Sequence, residues 1–484
     1  MPPPRSRAPW AVAACATLLL LATSGRYGPH RDEMYFIIAG RHPDWGYPDQ
    51  PPLTPLLAAA IDHLAPGSLV ALRIPGALIV GAVVILAAEL ARFLGARPQA
   101  QVLVSVVVAG ATGVLSVGHL LSTATLDLLV WVTITYAVVR AVSGSRPTWW
   151  IVAGITSAIG LQNKTLVMLL LVGLGIGLLT TASGRAAART PWPWAAAAIA
   201  AFGLLPSLVW QAGHAWPQAA MSADIRAEYG GIGGAAELIG FQLLLLGPLG
   251  GYLLVVGLTH AVRGRLGEPL RAVAGGYGVT LALLLVLGGK HYYTLGLLVV
   301  LATAGAAAID RRASSRTLGT LTVAAAVLAL FPLPAALPVL PERIFASSFY
   351  PDMNDDQLNT IGWPKVVDAL DSALTQLPEH DRADAVIFTA NYGEAGAWIL
   401  SGSDVPAYSG HNAFAAWGPP PPGAGPVIVI GPDAPSPDLF TECRHVATVD
   451  SEPGVEEDGA QVWTCAGPVG SWDRIWPLLT HLSA

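Results

Sequence analysis

The sequence predicts an all-α polytopic membrane domain of about eleven transmembrane helices, followed by a small extracytoplasmic α/β domain. Three observations carry this expectation. The chain of 484 residues is 53% hydrophobic and only 12% charged, with a mean hydropathy of +0.54, whereas a soluble globular chain carries about 25% charge. Its apolar residues gather into runs that approach the roughly 20 residues needed to cross a bilayer. Beyond Leu333-Pro334 the composition turns mixed, Pro-rich and acidic, which divides a membrane domain (1–334) from a C-terminal domain (335–484). The stretch from Phe331 to Pro341 reads as a linker leaving the last helix, because proline cannot continue one.

The expected spans lie near 9–24, 69–91, 99–117, 120–140, 148–162, 165–183, 192–212, 235–260, 272–289, 292–309 and 317–333. Positive charge orients them. With the N-terminus inside, cytoplasmic segments collect Arg5, Arg7, Arg92, Arg97, Arg140, Arg146, Arg185, Arg189, Arg263, Arg265, Arg271, Arg311, Arg312 and Arg316. The opposite loops hold half as many, from Arg26 to Lys290. An odd span count then places the C-terminal domain outside. Arg5 and Arg7 ahead of an apolar stretch ending at Ala22-Thr23-Ser24 also fit a signal peptide, whose removal leaves the remaining topology unchanged. Trp149, Trp150, Trp192, Trp194, Trp210 and Trp216 sit at expected span ends, as interfacial anchors do.

Within 335–484, apolar strands are expected at Ala385–Thr389, Val427–Ile430 and Gln461–Thr464, with a helix over Trp363–Leu377. Cys443 and Cys465 both fall here. An extracytoplasmic domain would let them form a disulfide, and two free structural cysteines are the other reading. Cys15 lies in the first apolar run and reads as a small packed residue.

Charges near a membrane are informative because they are costly to bury. The first outer loop (25–68) contains Asp32 and Glu33 about eight residues after the first span, ahead of a short amphipathic helix at Tyr35–Gly40. Asp127 opens the fourth span. Lys164 and Lys290, two of only three lysines in the chain, lie in tight outer turns, the second followed by His291, Tyr292 and Tyr293. Each has an ordinary alternative: solvated acids, snorkelling lysines, interface tyrosines. Together they suit transfer of a sugar from a polyprenyl phosphate. A carboxylate takes the acceptor hydroxyl's proton. Cations meet the charge developing on the phosphate leaving group. No general acid is needed, because phosphate already leaves well.

Other chemistries lack their signatures. There is no Walker loop, no Gly-X-Gly-X-X-Gly after a strand and no Asp-X-Asp triplet for a nucleotide sugar. Metal-ligand spacings are missing, so no metal or cofactor is expected, and no basic patch suggests nucleic acid. Asn163-Lys164-Thr165 fits a glycosylation triplet but lies close to the membrane.

The segment "RDEMYFIIAGRHPDWGYPDQPPLTPLL" resembles the first outer loop of the GT-C glycosyltransferases of family 39, which include protein O-mannosyltransferases and bacterial aminoarabinose transferases. "TATLDLLVW", "GLQNKTLVMLLL" and "KHYYTLGLLVVLATAGAAAID" resemble later blocks of that family in the same order. "NYGEAGA" and "YSGHNAFAAWGPPPP" look like a bacterial subgroup. The resemblance covers roughly residues 10–310 and implies a GT-C membrane domain. It also implies roles: Asp32 as catalytic base or acceptor-orienting acid with Glu33 beside it, Asp127 near the sugar, and Lys164 on the lipid phosphate. Lys290, His291 and Tyr292 would line that phosphate or the lipid groove. Gln50 stands where aminoarabinose transferases carry a lysine before Pro-Pro-Leu, so Lys290, His291 or Arg73 would replace that cation. The implied partners are a polyprenyl-phosphate-sugar donor, membrane lipids, and an acceptor that is a protein, a lipid or a glycan. The implied transfer usually inverts the anomeric centre. A transporter or flippase of a lipid-linked sugar is the runner-up; matched broken helices would favour it, and Gly247-Pro248 offers one break without a matched partner.

Overall fold

A computed structural model describes residues 3–144 and 146–483. The chain is mostly helical and divides into two compact units. One comprises Met1–Ser24, Gln50–Thr54 and Leu72–Leu337, and the other Gly25–Asp49, Pro55–Ala71 and Pro338–Ala484. The division at Leu337/Pro338 lies within the Pro-rich linker. Most of the first outer loop, grouped by sequence with the membrane domain, belongs to the second unit.

In the first unit each expected apolar run coincides with a helix or a bent helix pair. Leu69–Phe93, Thr123–Val142, Pro191–Gly213, Glu268–Leu287 and His291–Asp310 are long and apolar enough to cross a bilayer. Among the described residues this makes five crossings by length, or eight if each of three bent pairs is one span. Ala8–Thr23, Thr148–Leu161 and Ser315–Leu330 are shorter apolar helices. The runs near 99–117, 165–183 and 235–260, each expected as one span, are bent by 56°, 111° and 99°. The third break has a local cause. Gly247 takes a left-handed φ of +71°, which favours glycine, and Pro248 then starts a new helix without needing an N–H partner.

Large apolar side chains such as Ile155, Ile159, Val172, Ile176, Phe202, Val209, Val323 and Val327 are exposed on these helices. Exposing that much apolar surface to water costs about 25 cal/mol per Å², and lipid removes the cost. The protein is a multi-pass membrane protein. Its helices approach closely through small residues. A Cβ on Gly257 would collide with the backbone of Leu301, and one on Gly305 with that of Leu253, so Gly247–Val262 and Leu295–Asp310 pack backbone to backbone. A Cβ on Gly296 would press on the Cβ of Trp131 at 2.5 Å, which brings the start of Leu295–Asp310 against Thr123–Val142.

The second unit is built on a five-stranded sheet. Its strands are β1 (Val386–Thr389), β2 (Ala407–Ser409), β3 (Val427–Gly431), β5 (Arg444–Thr448) and β6 (Gln461–Cys465), in the order β2-β1-β3-β6-β5. β1 runs parallel to β2 and β3, and β6 antiparallel to β3 and β5. Two-residue strands β4 (Phe440–Thr441) and β7 (Gly467–Pro468) form a separate ladder. The expected strands are all present, as is the helix, at Trp363–Thr375. Cys443 and Cys465 are joined in a disulfide.

One core shows why the first loop belongs here. Met34, 1% exposed, packs in one cluster with Trp363, Val366, Leu370, Ile387, Trp398 and Ile428. The loop helix runs from Arg31 to Arg41, longer than expected, and every residue from Glu33 to Gly40 is buried. It is therefore a core element of this unit, where a one-faced amphipathic helix was expected.

Candidate active site

Of the residues singled out by sequence, Asp127, Lys164 and Tyr292 fall into a cluster in the first unit and Asp32 and Glu33 into one in the second.

In the first unit, Asp127, Lys164, Tyr292 and Tyr293 line one pocket of about 290 Å³ with Trp131, Leu166 and Gly296. Asp127 lies one turn inside Thr123–Val142, a helix opened by Ser122, whose hydroxyl accepts from Thr125 N–H. Lys164 places its ammonium 4.4 Å from the Tyr293 ring centroid and 5.7 Å from that of Tyr292, a stacking that favours a cation on the electron-rich ring face. The indole N–H of Trp131 in the pocket wall has no protein partner.

A buried polar relay fixes this pocket. Asn163, fully buried, accepts from the Thr54 hydroxyl at 2.5 Å and donates to Thr123 O at 2.8 Å and to Asp127 Oδ1 at 3.2 Å. Leu53 N–H also donates to Gln162 O at 2.9 Å. Residues 50–54 are thereby tied to the turn that carries Lys164. The Lys290–Thr294 turn is held by Gln242, whose amide donates to His291 O at 3.0 Å and whose carbonyl accepts from Thr294 and from Tyr277 OH.

Lys290 and His291 are not among the residues lining that pocket. Lys290 stacks on Tyr229 at 5.1 Å, and His291 meets Glu237 at 3.2 Å and stacks on Phe241. Gln50 is buried with its amide nitrogen unpartnered. Arg73, the other candidate cation, is 1% exposed and donates to Ser24 O while lying 3.2 Å from His119.

In the second unit the loop helix presents Asp32 and Glu33 in its first turn. His30 caps it: Nδ1 accepts from Asp32 N–H at 3.1 Å, and Glu33 Oε2 accepts from His30 N–H at 2.9 Å. Glu33 is 1% exposed, so its carboxylate serves the helix end. Asp32 keeps 37% of its side-chain surface exposed, and its Oδ1 accepts from Tyr392 OH at 2.8 Å. A parallel pair lies alongside: Tyr35 OH donates to Asp49 Oδ1 at 2.7 Å, with the Tyr35 and Tyr392 rings 4.8 Å apart. Burial pushes the Asp49 carboxyl up to about 6, the Tyr35 hydrogen bond opposing this and the Asp32 charge adding to it. Arg31 bonds Glu456 at 2.6 Å and lies over the Tyr392 ring.

Sequence reasoning missed Asn163 as an organiser of the pocket, and it missed Tyr35, Asp49 and Tyr392. The Asn163-Lys164-Thr165 triplet is structural, since Asn163 has no exposed surface to modify. Among the described residues no group of three His, Cys, Asp or Glu side chains could hold a metal ion.

Two similarities to known proteins bear on the fold. Residues 49–210 match the family model described as dolichyl-phosphate-mannose-protein mannosyltransferase. The fold is also that of ArnT from Cupriavidus metallidurans. The crystal structure of that protein bound to undecaprenyl phosphate aligns with a TM-score of 0.53 at 14% identity, covering 94% of this chain and 96% of that one. Its apo structure aligns with a TM-score of 0.52, at the same identity and coverage. No curated protein matches the chain in sequence.

Proposed function

We propose that this protein is a membrane glycosyltransferase that moves a sugar from a polyprenyl-phosphate donor to an acceptor hydroxyl on the extracytoplasmic side. The observation that carries the reading is the pocket in which the Lys164 ammonium and two tyrosines stand beside Asp127. A phosphate-linked sugar needs those groups together: a cation for the phosphate and a carboxylate for sugar hydroxyls. The family match over 49–210 and the likeness to ArnT support the same reading.

Asp32 supplies the base. Its carboxylate takes the proton of the acceptor hydroxyl as that oxygen bonds to the anomeric carbon. The bond from that carbon to the phosphate oxygen breaks, and its electron pair leaves on the phosphate. Attack opposite the leaving group inverts the anomeric centre. The acceptor is a protein, a lipid or a glycan, and the reaction needs no metal.

The test is transfer by the purified protein in nanodiscs, with a synthetic polyprenyl-phosphate sugar and extracts of the cell envelope as acceptors. Mass analysis should find a sugar added covalently, in the presence of a chelator as well as without it. Asp32→Asn should lower the rate by roughly 10²–10⁴-fold, the usual worth of a general base. The other reading is a flippase of the same lipid-linked sugar. Movement of an intact donor across the bilayer, with no covalent transfer, would establish that instead.

A further inference from the structure

We infer that Tyr392, on the C-terminal domain, is the positioning residue for the base: it fixes one oxygen of Asp32 so that the other is held toward the acceptor. The inference rests on the proposed role of Asp32. A partly exposed aspartate samples several rotamers, and a general base works only when its lone pair meets the proton in a near-attack geometry. Asp32 Oδ1 is occupied by the Tyr392 hydroxyl at 2.8 Å, Oδ2 lies 4.0 Å from His30 Nδ1, and the side chain remains 37% exposed.

Tyr392 is itself held firmly. It is 7% exposed, its ring lies 4.8 Å from Tyr35 and 4.6 Å from His411, and the Arg31 guanidinium sits 5.8 Å from its centroid. It is the first residue of the helix Tyr392–Leu400. There Asn391 Oδ1 accepts from Glu394 N–H, and Glu394 Oε2 accepts from Asn391 N–H, a reciprocal cap that sets the helix start.

Two glycines let this helix lie against the loop helix. A Cβ on Gly393 would stand 2.7 Å from the Trp363 ring and 3.0 Å from Arg31 Cβ, and one on Gly396 2.9 Å from Met34 Cβ. "NYGEAG" is thus one device. Asn and Glu begin the helix, the glycines allow the approach, and Tyr reaches the carboxylate.

The test uses the full chain in nanodiscs. Tyr392→Phe keeps the ring contacts and removes only the hydroxyl. It should lower kcat by roughly tenfold or more while leaving donor KM within about twofold, since a charge-assisted bond is lost at the base and nothing at the donor phosphate. A second measurement holds even if the variant is less stable. Tyr392→Phe combined with Asp32→Asn should be no slower than Asp32→Asn alone, because residues acting as a unit are not additive. Normal kcat for Tyr392→Phe, or an equal further loss in the Asp32→Asn background, would overturn the inference while the enzyme reading stands. Full activity of Asp32→Asn would remove the base assignment and this inference with it, while the enzyme reading stands.

Discussion

Asn163 donates to Asp127 Oδ1 at 3.2 Å while its own carbonyl accepts from Thr54, so one buried amide couples the first loop to the acid of the pocket. Replacing it with Ala leaves Thr123 O, Asp127 and the Thr54 hydroxyl short of a partner. Each unsatisfied buried group costs about 1–3 kcal/mol. Asn163→Ala should therefore lower the melting temperature and weaken transfer. Asn163→Asp should do worse, because it turns a donor into a buried charge facing two acceptors. Thermal melts in nanodiscs rank the two; equal melts for all three proteins would show that the relay contributes nothing.

Lys164 is expected to bind the donor phosphate. A charge-assisted contact contributes about 1.5–3 kcal/mol, so Lys164→Met should raise donor KM or lower kcat by roughly 10–100-fold. Lys164→Arg should keep part of the activity, since the charge remains while the geometry changes. A Lys164→Met enzyme with unaltered donor binding and turnover would make the lysine an interface residue only.

Stability of the second unit should fall as pH rises from 6.5 to 8. Burial pushes Glu394 up to about 8, with the Asn391 backbone opposing and Glu457 adding to it, and burial pushes Glu457 up to about 7, with Glu456 adding. Both acids ionise near 4.5 when unfolded, so the folded state holds more protons in this window and loses its advantage as pH climbs. The loss is about 1.4 kcal/mol per pH unit for each group while it lasts. His411, lowered to about 3 by burial and by His481, acts oppositely but only below its unfolded value of 6.5. Asp49, at about 6, has titrated before the window opens. Glu394→Gln should flatten the dependence of Tm on pH between 6.5 and 8. A slope unchanged from that of the unsubstituted protein would refute the assignment.

The charge bias predicts that the C-terminal domain is outside. Ser401, exposed on that domain, should as Ser401→Cys react with a membrane-impermeant maleimide in intact cells. Labelling only after permeabilisation would reverse the orientation. The Cys443–Cys465 bridge should give a mobility shift on reduction, as expected in an oxidising compartment.

The sequence by itself determined the apolar runs, the three main strands and helix of the C-terminal domain, and the pairing of Asp32 with Glu33. These are local patterns, set by composition and periodicity within a window of 20 residues or so. The bends in the runs near 99–117 and 165–183 were less legible, because hydropathy averages across a break. Only the tertiary structure decided which polar groups are partners. Tyr392 and Asp32 are 360 residues apart, and Thr54 and Asn163 109 apart. A tyrosine in a helix cap or an asparagine in a turn looks the same in sequence whether it faces solvent or a carboxylate. The same holds for Met34: its hydrophobicity says that it is buried, but not that it fills the core beneath Trp363 and Trp398. Burial is written in the type of a residue, whereas its partner depends on how distant segments pack.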